Sequence, residues 1–182
     1  MVESGKNLST VIHALFSDKD PALDEIVDML RVCVRTVEDL VSPIYGDAQT
    51  SVALKEESVP HPVGSWGLSD GTLLALAMAT ALVTPRPPSL IVVEAPDIEL
   101  HPYAMEALAE MLTIASENTQ VIATTHSPYL LDWLPIESFV VVEKANGATR
   151  CRRVTSKRGA RQTIKSLGAG SAWYSGHLGG VP

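Results

Sequence analysis

The feature that most constrains this chain is the alternation between residues 68 and 142, where three short apolar runs are interleaved with helix-forming stretches. Residues 90–93 (Leu-Ile-Val-Val) contain no polar side chain, and residues 121–123 and 139–142 repeat the pattern. A strand with one wet face alternates apolar and polar residues, so an unbroken apolar run predicts a strand covered on both faces. Residues 72–83 are apolar almost all round, as in a buried helix, and Pro85, Pro87 and Pro88 stop it. Further helices are expected from Pro102 to about residue 116 and over 127–133. Strands and helices in this order predict an α/β fold, a mostly parallel sheet flanked by helices, with its chemistry at the strand ends.

Upstream, Leu8, Val11, Ile12, Leu15 and Phe16 recur with helical period. A second helix is expected from Pro21 to about Val34, with Asp20 as N-cap, Pro21 at N1, and Leu23, Ile26, Val27 and Leu30 as its buried stripe. Residues 36–63, rich in Val and Thr and broken by Pro43, Gly46 and Pro60, predict short strands and a loop. Residues 168–182 are Gly-rich and read as irregular, and there are no internal repeats. The organisation expected is therefore 1–63 as a helical and short-strand segment, 64–143 as the central core, and 144–182 as a basic, Gly-rich tail.

A chain of 182 residues with 46% hydrophobic and 19% charged residues is globular in composition rather than disordered. No apolar run approaches the ~18 residues of a membrane span. Glu3 and Lys6 sit where a signal peptide would be apolar, so a cytoplasmic location is expected. Cys33 and Cys151 are too few for a disulfide framework or a zinc site, and read as two reduced thiols. The net charge of −7 is unevenly spread. All 21 acids lie at or before Glu143, whereas residues 144–182 carry eight of the 14 bases and no acid. Such a split reads either as a polyanion-binding surface or as a basic tail resting on an acidic body.

Three segments carry chemistry. Leu68-Ser69-Asp70-Gly71-Thr72-Leu73 places a hydroxyl and unblocked backbone N–H groups at the start of the buried helix, an arrangement suited to an anion. Glu94 ends the first apolar strand, where a carboxylate can hold Mg²⁺. His126, in Thr124-Thr125-His126-Ser127-Pro128, follows the second strand, where an imidazole can donate to a terminal phosphate. Each has a plainer reading: Ser69 as a helix N-cap, Glu94 as a strand-end ion pair. His101, ahead of Pro102, reads as a cap.

Taken in order, the three segments resemble the signature, Walker B and switch-His motifs of ABC-type ATPases. They are most similar to bacterial AAA-labelled ATPases related to the SMC, RecF and OLD proteins. The similarity is strong over residues 64–143 and looser at Ser4-Gly5-Lys6-Asn7 and at Gly176-His177-Leu178-Gly179-Gly180. The resemblance implies a partial P-loop NTPase core with ATP and Mg²⁺ as cofactors and a homo- or hetero-oligomer with a Walker A-bearing ATPase. It implies nucleotide contacts from Ser69, Asp70 and Gly71, with Ser69 and Gly71 on the γ-phosphate of ATP held by another subunit. It implies Glu94 as the magnesium-associated acid and His126 as the γ-phosphate switch, these two being the catalytic candidates. DNA is among the family's partners, and no membrane is implied.

Two departures qualify that picture. No Gly-x-x-x-x-Gly-Lys-[Ser/Thr] loop occurs; the one Gly-Lys pair, Gly5-Lys6, is followed by Asn7, so the N-terminal Walker A half reads as absent. The family's second acid, which orients the attacking water, is replaced by Ala95. Asp97 is no obvious substitute, and losing such a base costs ~10²–10⁴ in rate. Whether the chain is an ATPase in its own right stays open, with a degenerate, non-catalytic interaction module or fragment as the alternative. A rival from another class is a Ser-Asp-His α/β-hydrolase, because Gly67-Leu68-Ser69-Asp70-Gly71 fits Gly-x-Ser-x-Gly with Asp97 and His126 downstream. That reading needs a buried strand directly before Ser69.

Overall fold

A computed structural model describes residues 5–46, 49–156 and 158–180; Ser4, one end of the looser similarity, and Lys157 of the basic tail lie outside the described residues. The chain forms two compact units, Met1–Thr124 and Thr125–Pro182.

The first unit begins with helices α1 (Leu8–Asp18) and α2 (Ala22–Cys33). The sequence predicts Asp20 at the N-cap with Pro21 at N1; the helix begins one residue later, with Pro21 at the N-cap at φ −61° and ψ −18°, and Asp20 Oδ1 still accepts from the Ala22 amide at 2.9 Å. Asp24 and Glu25 in the first turn and Arg31 in the last suit the helix dipole. Ile26, Val27 and Leu30 are buried as the periodicity requires, whereas Leu23 stays half-exposed and Ala22 takes the remaining inner position. Residues 36–63 form the expected short strands. β1 (Val37–Val41), β4 (Ala53–Glu56) and β5 (Val63–Gly64) make an antiparallel sheet in the order β1-β4-β5, and β2 (Ile44–Tyr45) pairs with β3 (Gln49–Thr50).

Helix α3 (Asp70–Leu82) buries Ala75, Leu76, Met78, Ala79, Thr80 and Leu82. The Thr80 hydroxyl is satisfied within the helix by the Leu76 carbonyl at 2.8 Å. Strands β6 (Leu90–Glu94) and β7 (Gln120–Thr124) pair in parallel, joined through a 3-10 turn, Pro102–Ala104, and helix α4 (Met105–Ala115). Their cover differs from the sequence expectation. On one face Ile91, Val93 and Val121 are half-buried, with Ala123 exposed, but on the other Leu90, Val92 and Ile122 are exposed at 42%, 64% and 46%. The apolar runs therefore encode two faces, of which this unit covers one in part and leaves the other open.

The third apolar run does not join that sheet. It forms β8 (Val140–Ala145), antiparallel to β9 (Ala148–Arg153), in the second unit. The turn between them, Asn146-Gly147, has φ of 53° and 79°, the double positive φ that a tight hairpin demands. The same unit holds α5 (Pro128–Leu131), α6 (Ala160–Leu167) and α7 (Ala169–Tyr174) around Phe139, Val141, Val154, Ala172 and Leu178. The Gly-rich end is thus not irregular throughout, because α7 occupies its first half. Gly170 explains why: a Cβ there would collide with the Pro128 carbonyl, so a glycine lets α7 approach α5 closely.

Candidate functional site

Ser69 is the N-cap of α3. Its φ and ψ are −68° and 155°, and its Oγ accepts from the Thr72 amide at 3.1 Å and lies 2.9 Å from Thr72 Oγ1. When Thr72 is the donor between the two hydroxyls, the Ser69 proton is free for an outside acceptor. The amides of Asp70 and Gly71, in the first turn, have no intrahelical acceptor. The positive end of α3 therefore carries an exposed hydroxyl beside two N–H groups that have no helix partner. Asp70 adds an exposed carboxylate at the same place, favourable to the helix dipole and unfavourable to a bound anion. What precedes Ser69 is a 3-10 turn, Ser65–Gly67, and not a strand, so the strained strand-to-helix elbow of a hydrolase nucleophile is missing.

Glu94 closes β6 in register with Thr124 of β7, and its exposed carboxylate has no hydrogen bond or ion pair among the described residues. The chain then turns sharply. Ala95 adopts φ 46° and its amide donates to the Thr124 carbonyl at 3.0 Å and to Thr124 Oγ1 at 3.2 Å. Two turns follow, Ile98 N to Ala95 O at 3.1 Å and Leu100 N to Asp97 O at 3.3 Å, and Glu99 also has positive φ, at 64°. This loop meets the start of α3, since a Cβ on Gly71 would collide with the Glu99 carbonyl. Thr124, as the anchor of Ala95, and Glu99, as the neighbour of Gly71, escaped the sequence reading; Thr124's place at the end of the second apolar run was the available signal.

In the second unit His126 is exposed, with its ring centroid 6.3 Å from that of Trp173 at a tilt of 40°. Beside it the Ser127 amide donates to Thr125 Oγ1 at 2.9 Å, and Ser127 Oγ, as the cap of α5, accepts from Leu130 N at 3.4 Å. His101, in the first unit, is a cap as read, its Nδ1 accepting from Tyr103 N at 3.1 Å. Among the described residues no three of His, Cys, Asp and Glu cluster so as to hold a metal ion. Glu94 fits Mg²⁺ only as a single carboxylate, which is the usual protein share when phosphates complete the shell.

Several tail arginines already have acceptors within their own unit. Arg161 Nη1 is 2.6 Å from Glu137 Oε1, Arg153 Nη1 donates to the Glu137 carbonyl at 3.1 Å, and Arg152 binds the Leu178 carbonyl and lies 3.7 Å from Glu143. A backbone hydrogen bond at Glu137, reinforced by the Arg161 guanidinium, holds the Glu137 carboxyl below its ordinary value. Among the described residues no helix is long and apolar enough to cross a membrane.

Residues 8–132 match the family described as "AAA domain, putative AbiEii toxin, Type IV TA system". No curated protein matches the chain. Among solved structures, the chain is similar to one described under ATP-driven dimerization and DNA-stimulated activation of SMC ATPases, at TM-score 0.62 and 11% identity. That match covers 85% of this chain and 94% of the other. It is also similar to the Smc head domain of Pyrococcus furiosus, with an extended coiled coil and bound to the C-terminal domain of ScpA, at TM-score 0.63 and 10% identity, covering 85% of this chain and 39% of that one. The SMC head domain of Thermotoga maritima gives TM-score 0.53 and 14% identity, covering 80% and 51%. The chain thus spans about half or less of these last two. At such identities the likeness is one of fold, the P-loop NTPase fold of SMC heads.

Proposed function

Since this chain belongs to the AAA-domain family and has the fold of SMC ATPase heads, we propose that it contributes the signature, Walker B and switch-His motifs to a composite Mg-ATP site. In this reading residues 64–143 are the ATPase core, 1–63 lead into it, and 144–182 are the basic tail. Ser69 and the amides of Asp70 and Gly71 contact the γ-phosphate, Glu94 holds the magnesium ion, and His126 senses the terminal phosphate. The Walker A loop comes from a second ATPase segment, which completes a homo- or hetero-oligomer. Bound Mg²⁺ would neutralise charge on the phosphates, while the chain's own residues bind and orient.

The observation that supports this reading best is the bare face of β6 and β7. Leu90, Val92 and Ile122 share a face of the pair with Glu94, which closes β6, and a second half-domain laid on that face would remove them from water. Ala95 favours slow turnover, since its methyl group cannot orient or deprotonate water.

Calorimetry and phosphate release test the proposal. The chain alone should bind Mg-ATP at millimolar affinity or worse, a binding free energy of only about −4 kcal/mol. With a Walker A-bearing partner, binding should tighten, and Ser69→Ala or Glu94→Gln should reverse the gain. Ala95→Glu should raise turnover of the complex. Micromolar ATP binding or brisk hydrolysis by the chain alone would refute the composite site.

A further inference from the structure

In the first unit, α2 and α4 pack against one another, and a stripe on each borders the seam between them. On α2 it is Glu25, Asp28, Met29 and Val32; on α4 it is Ala107, Glu110, Met111 and Ile114, of which Ala107 and Met111 are buried in the core and Glu110 and Ile114 reach the surface. Both sets follow i, i+3, i+4, i+7 spacing and so lie along one side of each helix. All of these except Glu25 line a groove of 180 Å³, and Glu25 lines the cavity that adjoins it. Met29 and Ile114 carry it into an adjoining cavity of 490 Å³ beside Asp20, Leu82 and Pro85. Val32 and Ile114 are 49% and 43% exposed, so the groove keeps apolar surface in water.

The rim has one sign. Asp20, Glu25, Asp28 and Glu110 line the two cavities, and no Lys or Arg among the described residues does. Only Asp28 has a cationic partner, Arg31 at 2.9 Å, among the described residues. We propose that this groove docks a basic amphipathic helix of a partner polypeptide. An apolar stripe at helical spacing would lie over Met29, Val32 and Ile114, with Lys or Arg on its flanks reaching Glu25 and Glu110. Methionine in the floor suits such a guest, because its unbranched side chain adapts to different knobs. The same charge repels acidic helices and anionic membranes. A second copy of this chain is a poor occupant: the one basic helix among the described residues, α6, already uses Ala160 and Ile164 in its own unit and leaves Leu167 as its exposed large apolar residue. The proposal involves none of the nucleotide-site residues and stands or falls apart from them.

The test is fluorescence anisotropy on the full chain with a labelled Leu/Lys amphipathic helix of roughly 18 residues. A scrambled peptide of equal composition and a Leu/Glu helix serve as comparisons. The Leu/Lys helix should bind at least about tenfold more tightly than either, a difference of ~1.4 kcal/mol. Glu25→Lys with Glu110→Lys, and separately Met29→Gln with Ile114→Gln, should each remove that preference while the melting temperature holds. Should the lysine pair disturb folding, Glu25→Gln with Glu110→Gln carries the same expectation. Equal binding of the scrambled peptide, or a preference that survives both sets of variants, overturns the proposal. So does a dimer, seen by sedimentation, that Glu25→Lys with Glu110→Lys dissociates, since the groove would then belong to a second copy.

Discussion

Gly71, in the first turn of α3, sits directly against the backbone carbonyl of Glu99, so closely that a methyl group on Gly71 would collide with that oxygen. The contact ties the candidate phosphate-facing turn to the loop that follows Glu94. Gly71→Ala must push helix and loop apart, which for an overpacked contact costs about 1–3 kcal/mol. Ser69→Ala removes only a cap, worth roughly 1 kcal/mol. Urea unfolding of the two variants should therefore rank Gly71→Ala as the more damaging. A glycine that merely relieved an open turn would give the opposite order.

Ala95 lies in the left-handed region at φ 46°, which costs an L-residue about 1–2 kcal/mol. Glycine removes that cost but adds roughly 0.5–1 kcal/mol of unfolded-chain entropy. Ala95→Gly should therefore stabilise slightly, by up to ~1.5 kcal/mol, raising the urea midpoint with an unchanged slope. Ala95→Glu keeps the same strain as alanine, so its effect on turnover can be read without a new backbone penalty. A lowered midpoint for Ala95→Gly would mean that the turn owes its shape to something other than this residue.

Much of this arrangement was legible beforehand, for physical reasons that vary by element. Helix α2 could be read because Ile26, Val27 and Leu30 repeat at helical spacing and Asp20-Pro21 marks its start to within one residue. Strands β6 and β7 announced themselves as unbroken apolar runs. What the runs could not say is which layer covers each face, since apolar residues look the same whether their cover is in the unit or brought by a partner. The β8–β9 hairpin had a local signal in Asn146-Gly147, overlooked because the Arg-rich sequence of β9 lacks an apolar stripe. The left-handed Ala95 and the Gly71–Glu99 approach are tertiary facts with no local signature.

The two cysteines should separate chemically. Burial pushes the Cys33 thiol up to about 11, whereas Cys151 is exposed on β9. At pH 8 an aromatic disulfide reagent should titrate one thiol quickly, Cys151, and the second only on unfolding. The sign for stability follows from the raised native value. The unfolded thiol ionises near 9 and the native one near 11, so Cys33 favours the fold fully below pH 9 and loses that contribution between pH 9 and 11. Cys33→Ala should flatten the decline in stability over that window. Rapid labelling of both thiols in the native chain would mean that Cys33 is not shielded.

The bare face of the parallel pair makes the last prediction. Val92 and Ile122 are cross-strand partners, at 64% and 46% exposure, with Leu90 alongside. Neighbouring apolar side chains on an open strand pair invite association, because both the face and the unpaired backbone edges can be satisfied by another chain. The isolated chain should therefore sediment as a mixture that shifts to larger species with concentration. Replacing both residues by threonine keeps β-branched side chains of similar shape and makes the face polar. Val92→Thr with Ile122→Thr should suppress the larger species. The stability cost should stay within about 0.5 kcal/mol per site, the range for substitutions of side chains already in water. A partner that completes the sheet should protect the wild-type face and lose affinity for the double variant. If the wild-type chain is a monomer at all concentrations and the double variant unfolds, the face is covered from within and the need for a second half-domain disappears.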